Sequence, residues 1–166
     1  MKNLTDTQRE YLDRLMQRDK GATVRWHDGH GTASLLRGTL VKPERVEGYI
    51  KENPEAILDI FLEEYGPLVT PGDSKKTIRF VKTHSAKRGG IRIRAMQVAK
   101  GIPIDGATLL LFVDARKGIY RAQSGCYRDV VVPPLTWSGG EHRRDPGLNL
   151  LSASPTPGAY LQHFGV

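Results

Sequence analysis

Between Ser74 and Ile104 the chain holds nine lysines and arginines and no acidic residue: Lys75, Lys76, Arg79, Lys82, Lys87, Arg88, Arg92, Arg94 and Lys100. The formal net charge is +7, so this one stretch carries more than the whole excess. Clustered cations perform no covalent step by themselves. They attract carboxylate-rich or phosphate-rich partners. Arg92 and Arg94 alternate with Ile91 and Ile93, and the sequence expectation is that they share a positive face with Arg79 and Lys82. Such a face either binds a partner or stays solvated and discourages edge-to-edge association. Nucleic acid is the less favoured partner at this stage, because base stacking needs interleaved aromatics and the only one inside the run, Phe80, falls at a core position.

The remaining reactive residue types do not assemble into a catalytic pattern. The histidines are His27, His30, His84, His142 and His163, and no H-E-x-x-H pair is present. His27 and His30 belong to a D-G-H-G turn, read here as geometry rather than metal binding. Glu141-His142 lies in a Gly-Gly-Glu-His-Arg-Arg segment without helical periodicity, which reads as an exposed loop. Cys126 would need an adjacent base and an electropositive site to act as a nucleophile; after a strand it reads as a small buried hydrophobe. The glycines of GIPIDG fit neither a P-loop nor a dinucleotide fingerprint. The expectation is therefore a non-enzyme with no metal and no cofactor.

The elements that position the basic run follow from periodicity. Thr5 to Asp19 reads as an amphipathic helix with Tyr11, Leu12, Leu15 and Met16 at 3–4 spacing and Gln8 completing a capping box with Thr5. Ala22 to Leu40 reads as a hairpin about Asp28-Gly29-His30-Gly31. A short helical piece over Glu44 to Glu52 leads to Asn53, an N-cap before Pro54. The helix that follows has Ala56, Ile57, Ile60, Phe61 and Tyr65 on one face and is expected to stop at Gly66-Pro67. Lys75 to His84 reads as a strand. Ile91 to Gly125 reads as three more strands, connected by GIPIDG and then by DARKG. The expected fold is α+β: a small antiparallel meander crossed by a helix, with an additional hairpin and an N-terminal helix.

At 166 residues the chain suits one domain with a tail. The division expected is a body over residues 1–129 and a Pro/Gly-rich tail or linker over 130–166. No apolar run is long enough for a membrane helix. The polar N-terminus lacks the apolar centre of a signal peptide, so the chain as it stands is expected to be cytoplasmic or a fragment of a secreted precursor. A single cysteine excludes an internal disulfide.

Arg94, Gln97, Gly101, Pro103 and Gly106 stand in the order R-x-x-Q…G-I-P-I-x-G. An apolar strand, a turn with Asp114 and Gly118, and a last strand ending at Gly125 follow. This run resembles the propeptide motif of fungalysin/thermolysin-type zinc metallopeptidases, and Gly38-Thr39-Leu40 matches a G-x-L step earlier in such propeptides. The resemblance implies a domain that assists folding of the peptidase and covers its cleft, with the catalytic domain as its protein partner. The motif residues then serve architecture, and an internal bond from Arg94 to Gln97 or a carboxylate would withdraw that charge from any partner. The alternatives are a protein-binding scaffold module of a larger assembly, or nucleic-acid binding through the basic sheet face.

Overall fold

The computed structural model describes residues 4–29, 31–70, 72–86, 89–128 and 130. The chain divides into two compact units, Met1–Pro133 and Pro134–Val166, and the expected Pro/Gly-rich tail, apart from Val130, falls outside the described residues. The first unit is α+β, with six antiparallel strands in one sheet ordered β1-β2-β6-β5-β4-β3. These are β1 Thr23–Trp26, β2 Ala33–Val41, β3 Ile78–Ser85, β4 Ile91–Ala99, β5 Ile102–Asp114 and β6 Gly118–Ser124. The first hairpin is thus not a separate layer: β2 pairs with β6 and extends the meander.

Helix α1, Asp6–Arg18, starts where the sequence places it. Thr5 accepts from the Gln8 backbone N–H and Gln8 returns a bond to the Thr5 N–H, both at 3.1 Å. The buried Gln8 amide then donates to the carbonyls of Gly31 and Pro67 and ties the helix to the domain. After a 3-10 turn at Pro43–Arg45 and a short α2 at Tyr49–Glu52, α3 spans Pro54–Val69. Asn53 caps it by accepting from the Ala56 N–H.

Gly66-Pro67 does not stop α3, contrary to the sequence expectation. A proline costs one N–H bond, and here it falls in the last turn of a helix held by burial of Leu68 and Val69 on the core. Gly66 serves packing: a Cβ there would meet the Ser74 hydroxyl at 2.2 Å. The buried face also differs from the expected one. Leu58 and Leu62 are buried with Ile57, Phe61 and Tyr65, whereas Ile60 is only partly covered, because α3 packs against both the sheet and α1. Ser74–Thr77 forms a helical turn, α4, so β3 begins at Ile78 instead of Lys75.

The first meander connection is shorter than GIPIDG. Lys100 and Gly101 take positive φ of 49° and 81° and form a two-residue turn, so Ile102 already pairs with Ala99 and Pro103 with Val98. Two consecutive left-handed residues match the twist of the flanking strands. The register then shifts, and residues 104–107 bulge opposite Gln97. Gly106, at φ 74°, permits this excursion, and Gly125 lies close beneath it: a Cβ on Gly125 would sit 3.0 Å from the Gly106 carbonyl oxygen. The second connection forms at Asp114–Gly118 as expected, with the Asp114 carboxylate accepting from the N–H groups of Arg116 and Lys117.

Candidate functional site

Strand alternation sorts the sheet into two faces. Leu36, Ile93, Ala95, Leu109, Leu111, Ile119 and Ala122 point into the core shared with α1 and α3. The opposite face is assembled by register. One row runs Thr23, Arg37, Arg121, Phe112, Arg92 and His84 across β1, β2, β6, β5, β4 and β3. The next row runs Arg25, Leu35, Gln123, Leu110, Arg94 and Lys82. Arg79 stands opposite Met96 beside this second row. Neither row contains a carboxylate.

Among the described residues, the charges on this face have no ion-pair partner. The ion pairs among the described residues join Arg9 to Asp6, Arg14 to Glu10, Arg18 and Arg45 to Glu64, Lys75 to Glu63 and Lys76 to Asp73. None involves Arg25, Arg37, Arg79, Lys82, Arg92, Arg94 or Arg121. Lys75 and Lys76, counted in the basic run, pair with Glu63 of α3 and with Asp73 just before α4, and leave the face. Lys87 and Arg88 lie outside the described residues.

Aromatic rings are interleaved with these cations after all. Phe112 sits between Arg121 and Arg92 in the first row, with the Arg121 guanidinium carbon 5.0 Å from its ring centroid. Tyr120, displaced by the register shift between Phe112 and Val113, places its ring 6.4 Å from that of Phe112. Lys117 lies over Tyr120 at 5.5 Å. Arg37, Thr39, Arg116, Lys117 and Tyr120 line an open depression at this end of the face, together with Asp19. The Asp19 carboxylate accepts from the backbone N–H groups of Thr39 and Gly21, which hold its pKa below the usual aspartate value. Counting charge along the sequence missed this cluster. The signal was the alternation of Leu110 and Phe112 against Leu109, Leu111 and Val113.

The residues of the R-x-x-Q…G-I-P-I-x-G run divide between scaffold and surface. Gln97 is inward and buried, and its amide forms a reciprocal pair with the Tyr127 backbone: Nε2 donates to the carbonyl at 2.9 Å and Oε1 accepts from the N–H at 2.8 Å. Arg94 projects from the opposite face, and among the described residues it makes neither the bond to Gln97 nor the bond to a carboxylate considered from sequence. Gly101 makes the hairpin turn, Pro103 precedes the bulge, and Gly106 and Gly125 approach one another. Gly118 is fixed more tightly: at φ 68° its added Cβ would lie 2.0 Å from the Val41 carbonyl oxygen.

The nucleophile and metal candidates are occupied structurally. Cys126 is fully buried, and burial pushes its thiol pKa up, away from the thiolate. The His27 ring nitrogen Nε2 is 2.6 Å from the Ser124 carbonyl oxygen. Among the described residues no three His, Cys, Asp or Glu side chains gather as a metal-holding group, and no helix is long and apolar enough to cross a membrane. His30, Glu141, His142 and His163 lie outside the described residues.

Comparison with protein-family models, with curated proteins and with solved structures finds no match for this chain.

Proposed function

We propose that this domain is a non-catalytic binding module whose outward sheet face holds a polyanionic partner. The observation that carries the reading is the pair of outward rows, which bring Arg25, Arg37, Lys82, Arg92, Arg94 and Arg121 together with no carboxylate in either row and no ion pair to them among the described residues. Unneutralised cations at strand spacing favour an extended anion, and release of its counterions supplies the free energy. The test is titration of fluorescent heparin at low salt. Binding should weaken linearly in log affinity against log salt, and Arg92→Gln/Arg94→Gln should bind more weakly with a shallower slope at unchanged stability. Absence of binding at about 50 mM salt, or identical binding by the variant, would remove this function.

A second reading follows from the R-x-x-Q…G-I-P-I-x-G run, whose Gly101 and Gly106 shape the β4–β5 hairpin and whose Gln97 pairs with the Tyr127 backbone. The domain would then act as a propeptide, stabilising the fold of a thermolysin-like zinc metallopeptidase by mass action while blocking its cleft. Added in trans, it should inhibit such an enzyme near stoichiometry or raise its refolding yield. If neither occurs, the propeptide role is lost and the sheet face is unaffected.

A further inference from the structure

We infer that the polyanion taken by the outward face is a single-stranded nucleic acid, whose bases stack at Tyr120 and at the Arg121–Phe112 pair while flanking cations hold its phosphates. The inference rests on the proposed binding face and adds the chemistry of the partner. A sulfated or phosphorylated chain without rings needs only the cations. It leaves unexplained why Phe112 lies at the centre of the row with Tyr120 beside it, both outside the core cluster and with charge on either side.

Phe112 and Tyr120 are not part of the hydrophobic core, and their rings lie 6.4 Å apart at an interplanar angle of 56°. The Arg121 guanidinium carbon lies over the Phe112 ring, 5.0 Å from its centroid, which pairs a planar cation with a ring on this face. Guanidinium planes and aromatic rings both accept bases face to face. Neighbouring strands are about 4.8 Å apart. Arg37 and Arg92, three strands from one another, therefore stand about 14 Å apart with the aromatic pair between them. That span permits phosphate contacts on both sides of a stacked base. Lys117 and Arg116 extend the positive surface at the depression beside Tyr120. A duplex shields its bases within its own stack, so the half-buried rings of Phe112 and Tyr120 on this face favour a single strand.

The deciding experiment compares a dT oligonucleotide of about 12 nucleotides with an abasic strand of equal length, with heparin and with polyglutamate, at one salt concentration. The dT strand should bind about tenfold more tightly than the abasic strand, the size expected when a base stacks on an aromatic side chain. Tyr120→Leu should reduce that difference, the Arg121–Phe112 pair remaining, and should weaken dT binding more than heparin binding. Equal affinity for the dT and abasic strands would overturn the stacking inference and leave the polyanion reading intact. Loss of binding to every probe would overturn both. Tighter binding of polyglutamate than of dT would assign the face to an acidic protein and overturn the inference. The comparison of dT with abasic strand uses the unmutated protein, so it decides the matter even where Tyr120→Leu does not fold.

Discussion

The guanidinium of Arg121 lies over the ring of Phe112, 5.0 Å from carbon to centroid, although the two residues come from different strands. A cation over a ring at a partly exposed site contributes about 0.5–1 kcal/mol. Arg121→Leu should therefore lower stability by no more than about 1 kcal/mol while reducing heparin affinity, because the charge it removes is central to the row. Equilibrium urea unfolding and anisotropy titration on the same sample separate the two effects. Unchanged affinity with a large stability loss would make Arg121 a structural residue.

Gln97 replaces a strand neighbour for Tyr127 by offering one donor and one acceptor from its side chain. Gln97→Leu preserves bulk and leaves the Tyr127 N–H and C=O without these partners. The expected cost is about 2–4 kcal/mol, the sum of two hydrogen bonds with part of the desolvation penalty. A urea midpoint close to that of the unmutated protein would show that solvent replaces the pair.

Two glycines of the meander should respond differently to alanine. Gly101 has positive φ but open space where a Cβ would go, so Gly101→Ala should cost about 1 kcal/mol of backbone strain. Gly118 adds direct overlap with the Val41 carbonyl, and Gly118→Ala should exceed about 3 kcal/mol. Thermal melts rank the two. Equal losses would mean that β2 yields easily at Val41.

Acid should weaken the domain through identifiable carboxylates. Backbone N–H groups lower the pKa of Asp19, Lys75 lowers that of Glu63 and Lys76 lowers that of Asp73. A depressed folded pKa contributes stability that is complete above the unfolded value, about 4–4.5 for these groups, and lost as pH falls through the folded value. Tm should hold between about pH 7 and 5 and fall below about pH 4. Asp19→Asn should lower Tm at neutral pH and make the acid fall shallower. An identical acid limb in that variant would exclude Asp19 from the effect.

Local chemistry alone determined much of this protein. The Thr5–Gln8 capping box, the Asn53-Pro54 helix start, the Asp114–Gly118 turn and the strand alternation each depend on residues close in sequence, and they fix an α+β chain with a basic meander. Proline and glycine were less decisive where packing outweighed propensity: α3 continues through Gly66-Pro67 because Leu68 and Val69 gain burial. The composition of the outward face depended on strand order and register. Pairing β2 with β6 brings Arg37 beside Arg121, and pairing β6 with β5 brings Arg121 over Phe112. Only these long-range backbone hydrogen bonds turned a run of charge into a surface where cations flank aromatic rings.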